Sequence, residues 1–181
     1  MFHKIVAIVG MPGSGKTEVS RFFELQGFLR IRFGEITEEH IKQNNLVINE
    51  NNERRIREFL RKKYGNTAYA FLNFERIKTA LETNNVVIDG MYSWEEFMFL
   101  KEKFNEKLVV LAVYAPPNVR HLRLNTRTIR PLNKDEAISR DITQIENLNQ
   151  AGPIAMADHT IINIKTLIDL RNEVDRFLKV L

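Results

Sequence analysis

The residues with the clearest chemical pattern in this chain lie near its start. Residues 10–17 read GMPGSGKT and match the phosphate-binding pattern G-x-x-x-x-G-K-[ST] at every fixed position. Glycines at this spacing let backbone N–H groups turn inward around a polyphosphate. The lysine can then reach the outer phosphates, and the threonine hydroxyl can bind Mg²⁺. We call residues 10–17 the P-loop, and predict that it binds ATP through Gly10, Pro12, Gly13, Ser14, Gly15, Lys16 and Thr17.

An aspartate follows a second apolar run. Residues 84–90 read NNVVIDG, a buried-strand pattern that ends at Asp89. An aspartate at the carboxyl end of a strand beside the P-loop can hold Mg²⁺, directly or through water. The alternative is an ordinary strand-end turn, where Asp-Gly is common. We predict that Thr17 and Asp89 are the magnesium ligands.

Arginines crowd the region after residue 115. The spacing of Arg120, Arg123 and Arg127 predicts one shared helical face, and Arg140 lies on the next predicted helix. Guanidinium groups placed there can stabilise the charge of a transferring phosphoryl group. A solvated basic face is the alternative for such a run. We predict a lid over residues 123–140, and catalytic roles for Lys16, Arg123, Arg127 and Arg140.

Short apolar runs, separated by helical patterns, surround these residues and are typical of buried parallel strands in an α/β sheet. The segment between the second and third runs is too long for a simple crossover, so we predict a helical insert at residues 37–83 in one domain over residues 1–181. The predicted strands are Ile5–Val9, residues 28–33, residues 86–88, Leu108–Tyr114 and residues 160–164.

Two of the predicted helices have apolar residues at helical spacing. In the insert, residues 52–64 are predicted to bury Ile56, Phe59 and Leu60. A capping-box pattern at residues 133–136 opens a later helix, which carries isoleucines at positions 138, 142 and 145. These patterns predict which helix faces turn toward the interior.

Composition limits the classes of function. The chain has 181 residues, no cysteine, and four histidines without ligand spacing, which argues against disulfides and thiolate metal sites. The net charge of +4 suits anionic substrates or nucleic acid equally. The longest apolar run, at residues 108–115, is too short to span a membrane, and no signal peptide is predicted. We expect a cytoplasmic monomer or homodimer.

Five segments together resemble a known family. GMPGSGKTEVS, GFLRIRFGEI, VVIDGMYS, PPNVRHLRLNTR and ADHTIIN follow the order seen in P-loop nucleoside monophosphate kinases and dephospho-CoA kinases, and LRKKYG and SRDITQIE are most similar to adenylate kinase-related proteins. The resemblance implies a three-layer fold with a five-stranded parallel sheet in the order 2-3-1-4-5. It also implies an acceptor-binding helical insert and an arginine-bearing lid.

The same resemblance implies an acceptor site near Gly34 and Glu35. Glu35 could position a nucleotide, or act as a base toward a hydroxyl acceptor; a helix N-terminal acid is the structural alternative. Asp89 and Gly90 would lie beside the acceptor. The family usually has an arginine two residues after this Asp-Gly pair, but this chain has Tyr92, which cannot provide a charged bidentate contact.

Another cation must therefore replace the missing arginine, or the acceptor must differ. The insert offers Arg57 and Arg61 as candidates to bind an acceptor phosphate. Taken together, these patterns favour an ATP- and Mg²⁺-dependent transfer of phosphate to a nucleoside monophosphate or related small nucleotide. A P-loop ATPase or nucleotide-binding regulator is the alternative. A nucleic-acid-associated protein is the least favoured, because basic and aromatic residues do not alternate as on a single-strand platform.

Overall fold

Five strands form the centre of the protein. The computed structural model describes residues 3–128 and 130–181. The strands are β1 (Ile5–Val9), β2 (Leu29–Arg32), β3 (Val86–Asp89), β4 (Leu108–Tyr114) and β5 (His159–Ile162). They are parallel and lie in the order β2-β3-β1-β4-β5. The predicted α/β class and strand order are confirmed. β1 and β4 have the predicted bounds, and the ends of β2, β3 and β5 differ from the predicted ones by at most two residues.

The central strand explains why the early apolar run forms a parallel strand. β1 is completely buried between β3 and β4. Side chains alternate across the sheet, so Ile5, Ala7 and Val9 pack in one core while Val6 and Ile8 pack in the other. An uninterrupted apolar run is needed because helices cover both faces of the sheet.

Helices lie on both sides of the sheet. On one face, α1 (Lys16–Leu25) and α9 (Leu167–Leu178) supply Val19, Phe23 and Val174. On the other, α4 (Ala68–Ala80) and α5 (Trp94–Phe104) supply Ile77 and Leu100. The fold therefore has the expected three layers. The helices are α1 (Lys16–Leu25), α2 (Glu35–Gln43), α3 (Glu50–Tyr64), α4 (Ala68–Ala80), α5 (Trp94–Phe104), α6 (Pro117–Thr126), α7 (Lys134–Leu148), α8 (Ala151–Ala155) and α9 (Leu167–Leu178).

Helices α2, α3 and α4 lie between β2 and β3, in the segment where the insert is predicted. Helix α3 begins two residues earlier than expected because the Asn49 side chain accepts the N–H of Asn52 and caps it. Ile56 and Leu60 are buried as predicted, but Phe59 is 53% exposed. The buried stripe of α3 is therefore narrower than the apolar pattern suggested.

Helices α6 and α7 correct two further predictions. Helix α6 ends at Thr126 and Arg127 has extended backbone, so Arg127 does not share a helical face with Arg120 and Arg123. The capping box at Asn133 forms. However, the isoleucines of α7 are exposed, and the neighbouring stripe, about 90° around the helix, is buried instead. The exposed residues are Ile138, Ile142 and Ile145, and the buried ones are Ala137, Asp141 and Leu148.

Among the described residues, no helix is both long enough and apolar enough to cross a membrane.

Candidate functional site

The P-loop joins the end of β1 to the start of α1, and its shape requires glycine. Gly10, Gly13 and Gly15 have φ angles of 146°, 78° and 104°, which other residues rarely adopt. A β-carbon at Gly13 would lie 2.6 Å from the carbonyl oxygen of Arg120, and one at Gly15 would collide with the amide of Asn163. The glycines therefore provide both the backbone turn and the close packing that the motif predicts.

Three buried side chains from outside the P-loop, all within the described part of the chain, bind its carbonyl oxygens. Each comes from a different part of the chain, and together they donate one N–H to every second loop residue from Gly10 to Ser14. These three contacts fix carbonyl groups and use none of the loop's N–H groups, although the Ser14 N–H donates to the carbonyl oxygen of Met11 at 3.1 Å within the loop. Backbone N–H groups are what a P-loop offers to phosphate oxygens. The pairs are Gln150 Nε2 to Gly10 O at 2.9 Å, Arg120 Nη1 to Pro12 O at 3.0 Å, and Asn163 Nδ2 to Ser14 O at 2.8 Å.

Lys16 points back into the P-loop. Its ammonium group donates to the carbonyl oxygens of Gly10 at 2.7 Å and Met11 at 3.1 Å. Burial, opposed by the Asp89 carboxylate and aided by the Arg140 guanidinium, lowers the pKa of Lys16 to about 8. A polyphosphate bound in the loop would stabilise the charged form that burial disfavours.

Asp89 and Thr17 lie on either side of Ser20. The Ser20 hydroxyl donates to Asp89 Oδ2 at 3.1 Å and to the carbonyl oxygen of Thr17 at 2.9 Å. Arg30 also donates to Asp89 Oδ2, at 2.6 Å. Within the described part of the chain, Asp89 Oδ1 and the Thr17 hydroxyl make no hydrogen bond. These two oxygens are the kind of ligand that Mg²⁺ prefers.

The predicted catalytic arginines differ in their surroundings. Arg123 is half-buried and approaches Asn163 Oδ1 at 3.4 Å. Arg127 Nε donates to the carbonyl oxygen of Arg130 at 2.5 Å, and its buried Nη2 has no partner among the described residues. Burial lowers the pKa of Arg127, and the charge of Arg140 lowers it further. The site thus holds several cations close together, an arrangement that an anionic ligand would stabilise.

A large cavity lies beside the P-loop rather than over it. Its volume is about 1180 Å³, and it is enclosed by α2, α3 and α7 and by the segments that follow β2 and β3. The predicted acceptor residues Gly34, Arg61, Gly90 and Tyr92 line it, together with Arg140. No P-loop residue is among those that line it. A ligand in this cavity would therefore lie next to the predicted ATP site without overlapping it.

Two arginines one turn apart on α3 line this cavity, and they differ in whether a carboxylate already binds them. Arg57 donates to Glu50 at 2.7 Å and to Glu53 at 3.3 Å, so carboxylates already occupy its guanidinium. Arg61 forms no ion pair with a described residue; its guanidinium lies 5.6 Å from the ring centroid of Tyr69, and its Nε is buried without a partner. Arg61 is therefore the better placed of the two to bind an anion.

Glu35 lies outside the lining of the cavity. Its carboxylate is 3.8 Å from Arg32 and borders a separate, shallower groove beside β2 and α4. Gly34, immediately before it, does line the cavity. The position of Glu35 fits a helix N-terminal acid better than an acceptor-binding residue, because the side chain at the start of α2 turns toward the other groove.

An ion-pair bridge connects the region of the predicted lid to α3. Arg130 binds Glu53 at 2.5 Å and 3.0 Å and Glu50 at 3.3 Å. The Arg130 guanidinium, through a hydrogen bond, lowers the pKa of the Glu53 carboxyl. These ion pairs lie along one side of the cavity. They connect the segment after α6 to helix α3 of the insert.

The sequence reasoning did not identify the supports of the P-loop. By sequence alone Arg120 is one of several arginines, whereas in the structure it is 4% exposed and forms a bidentate ion pair with Asp141. The available signal was a charged residue on the buried stripe of α7, since Asp141 follows Ala137 by four positions. Gln150 and Asn163 gave no signal, because isolated amides in loops are common.

Sequence comparisons identify relatives of this chain. The AAA domain family AAA_18 matches residues 6–147. A UPF0200 protein of Thermococcus gammatolerans is 33% identical over 91% of this chain and 94% of that protein. Another, from Sulfurisphaera tokodaii, is 31% identical over 97% of this chain and 96% of that protein. The similarity therefore extends through the P-loop, the cavity and the last helix.

Solved structures show the same fold at low identity. TT1252 from Thermus thermophilus is similar with a TM-score of 0.64 and 21% identity, covering 100% of this chain and 99% of that chain. A shikimate kinase from Bacteroides thetaiotaomicron gives 0.63 and 16%, covering 98% and 97%. A gluconokinase from Sinorhizobium meliloti gives 0.60 and 15%, covering 96% and 90%. At these identities the likeness shows a P-loop kinase fold.

Proposed function

The chain belongs to the UPF0200 family and carries the AAA domain, and from this premise we propose that it is an ATP- and Mg²⁺-dependent phosphotransferase. It transfers the γ-phosphoryl group of ATP to a nucleoside monophosphate or a related small nucleotide. This reaction is of the adenylate kinase type, and dephospho-CoA is the related acceptor that carries a hydroxyl group instead.

The observation that carries the proposal is a second compartment beside the P-loop. A hydrolase needs space only for water, whereas this cavity of about 1180 Å³ has room for a nucleotide-sized molecule. Arg61 and Arg140 both line it without a hydrogen-bonded partner in the described chain. Free guanidinium groups in a cavity of this size favour an acceptor that carries a phosphate.

The two compartments meet at Tyr92 and Arg140. The ring centroid of Tyr92 lies 5.8 Å from the ammonium group of Lys16, and Tyr92 is also one of the residues that line the cavity. The charge of Arg140 acts on the pKa values of both Lys16 and Tyr92. A phosphoryl group moving from the P-loop to the cavity would therefore pass cations at each stage, as phosphoryl transfer requires.

The surroundings of Lys16 favour an oxyanion over a hydroxyl as the attacking group. A hydroxyl acceptor benefits from a free carboxylate base. The carboxylates that act on the pKa of Lys16 are Asp89 and Asp141, and each is bound by an arginine. A phosphate acceptor is already ionised and needs no such base.

Mg²⁺ fits the oxygens that the site leaves free. Thr17 Oγ1 and Asp89 Oδ1 would hold the ion, directly or through water, and the ion would offset charge on the phosphates. In this arrangement Lys16, Arg123, Arg127 and Arg140 bind the donor phosphates, whereas Arg61 binds the phosphate of the acceptor. Gly34 and Gly90 allow the acceptor to approach the backbone closely.

The test is ADP release, measured by a coupled assay, with ATP and one candidate acceptor at a time. The candidates are the common nucleoside monophosphates, dephospho-CoA, shikimate and gluconate. We expect a nucleoside monophosphate to raise turnover by at least tenfold over ATP alone. The Lys16→Ala variant should lose that stimulation, because it lacks the charge that contacts the transferring phosphate.

A P-loop ATPase or nucleotide-binding regulator is the second candidate. It is favoured by Tyr92, which stands where related kinases have an arginine, and by the carboxylates that occupy Arg57. The same assay separates the two, because an ATPase would release ADP at one slow rate with every acceptor. That result would end the phosphotransferase proposal.

A further inference from the structure

We propose that the buried ion pair between Arg120 and Asp141 is a positioning element that fixes the P-loop and Arg140 relative to one another. Neither residue needs to touch the nucleotide for this role. The inference rests on the proposed function in one respect, namely that Arg140 contacts the bound nucleotide.

All three nitrogens of the Arg120 guanidinium group form hydrogen bonds, and these reach three different parts of the chain. Its Nε donates to the carbonyl oxygen of Ala115 at 3.0 Å, just after β4, and its Nη1 donates to Pro12 O at 3.0 Å. Both terminal nitrogens bind Asp141, at 2.9 Å and 2.8 Å. The Arg120 side chain is only 5% exposed, and these hydrogen bonds hold its planar guanidinium group in one orientation.

The backbone of Arg120 also contacts the P-loop. A β-carbon at Gly13 would lie 2.6 Å from the Arg120 carbonyl oxygen and 3.1 Å from the Leu124 side chain. Helix α6 therefore packs directly against the loop, on the same side as the Pro12 hydrogen bond. A shift of α6 would move the loop with it.

Asp141 connects this assembly to α7. It lies on the buried stripe of that helix with Ala137 and Leu148, and it also accepts a hydrogen bond from His121 at 3.0 Å. Burial by itself would raise the pKa of Asp141, but the bonds from Arg120 and His121 outweigh burial and hold the pKa below its usual range. The carboxylate is therefore ionised and fully paired at neutral pH.

Arg140 precedes Asp141 on α7 and points in a different direction, because successive helical residues are about 100° apart. Arg140 is exposed and lines the cavity, and its charge reaches Lys16. Arg120 contacts the P-loop and binds Asp141, so it holds this part of α7 in place relative to the loop. Arg140 extends from the same part of α7 and is therefore held as well. A buried ion pair is weak evidence for a gain in stability. We therefore explain the Arg120–Asp141 pair by the relative position that it gives to the P-loop and α7.

The experiment is a double-mutant cycle on the affinity for Mg²⁺-ATP, measured by calorimetry without an acceptor. Arg140→Ala removes the positioned group, and Asp141→Asn removes the charge that positions it while keeping the shape. We expect each single change to weaken binding by about tenfold, as for loss of one charge-assisted contact. The fold-loss of affinity in the double variant should be smaller than the product of the two single fold-losses, by a factor of at least about three.

His121→Ala is the matched control, because it removes one partner of Asp141 but leaves the fork from Arg120 intact. Its affinity should stay within about twofold of the wild type. If Asp141→Asn fails to show a cooperative thermal transition, Arg120→Lys replaces it in the cycle, since lysine keeps the charge but loses the fork.

Losses that multiply fully in the double variant would overturn the proposal, as would unchanged affinity in Asp141→Asn or in Arg140→Ala. The cycle needs no acceptor, so its result can be read even if no acceptor stimulates ADP release. A failure of the proposed phosphotransferase activity and a failure of this inference are therefore distinguishable.

Discussion

The ammonium group of Lys16 lies 5.8 Å from the ring centroid of Tyr92, and this contact joins the P-loop to the cavity. Burial and, to a smaller extent, the Asp89 carboxylate raise the pKa of Tyr92 to about 12. Tyr92 therefore stays neutral at physiological pH and offers Lys16 the face of an aromatic ring, not a counter-charge. The lysine remains a cation with a depressed pKa, ready to pair with phosphate.

The first prediction concerns the pH dependence of ATP binding. The free protein loses the Lys16 proton near pH 8, whereas bound phosphates would hold that proton to higher pH. Affinity for Mg²⁺-ATP should thus be nearly constant up to about pH 7, begin to fall between pH 7 and 8, and fall by up to about tenfold per pH unit above pH 8. Isothermal calorimetry in buffers of different ionisation heat should also detect proton uptake near pH 8.

Lys16→Ala provides the control for this prediction. Its affinity should be lower at every pH but nearly flat between pH 8 and 10, since Tyr92 titrates only near pH 12. A wild-type affinity that does not change over this range would show that Lys16 is not the titrating group that ATP contacts.

The second prediction separates two arginines on one helix. Arg61→Ala should raise the KM for the stimulating acceptor by about 10- to 100-fold, the loss expected for a charged hydrogen-bonded contact. Arg57→Ala should raise it less than about threefold, because Glu50 and Glu53 already occupy that side chain. Steady-state kinetics at saturating ATP give both values, and equal effects of the two changes would contradict the assignment.

The fold could be predicted from sequence to a large extent because its signals are local. The β1 run, the P-loop glycines and the capping box at Asn133 each depend on neighbouring residues, and all three form as expected. The strand order came from the family resemblance, since apolar runs alone do not specify which strands are neighbours. The narrow buried stripe of α3, with Phe59 exposed, depends on packing that no local pattern reveals.

The site was harder to predict because its contacts are long-range. Arg57 and Arg61 have the same sequence signal, and only the carboxylates of Glu50 and Glu53 distinguish them. Arg130 was not singled out at all, although it bridges to both of those carboxylates. The roles of the predicted site residues stay predictions until they are tested by substitution.

The third prediction concerns a buried carboxyl group beneath Tyr92. Glu96 is 1% exposed, and its Oε2 accepts the N–H groups of Tyr92 at 2.8 Å and Ser93 at 3.1 Å. Burial raises the pKa of Glu96 to about 7, although these hydrogen bonds partly oppose the effect. The folded state therefore binds more protons than the unfolded state between about pH 4.5 and 7.

It follows that this group makes the wild type less stable as the pH rises through that window, by at most about 3 kcal/mol. Glu96→Gln keeps an amide oxygen for both N–H groups and cannot ionise. Its free energy of unfolding, relative to the wild type, should increase from pH 5 to pH 8 in urea titrations. A difference that is independent of pH would mean that Glu96 keeps an ordinary pKa.

The last prediction compares two glycines that both have positive φ angles. Gly15 has φ 104° and would direct a β-carbon into the amide of Asn163, which binds Ser14, whereas Gly27 has φ 86° and open space around it. Gly27→Ala should cost about 1 kcal/mol of unfolding free energy from backbone strain alone, with unchanged affinity for Mg²⁺-ATP. Gly15→Ala should have a similar backbone strain and also weaken ATP binding by about tenfold or more, because it displaces the Asn163 side chain that supports the P-loop.

Urea unfolding and calorimetric ATP titration of the Gly15→Ala and Gly27→Ala variants give the stability and the ATP affinity of each. Equal ATP affinities at equal loss of stability would show that the close packing at Gly15 is not needed for the phosphate site.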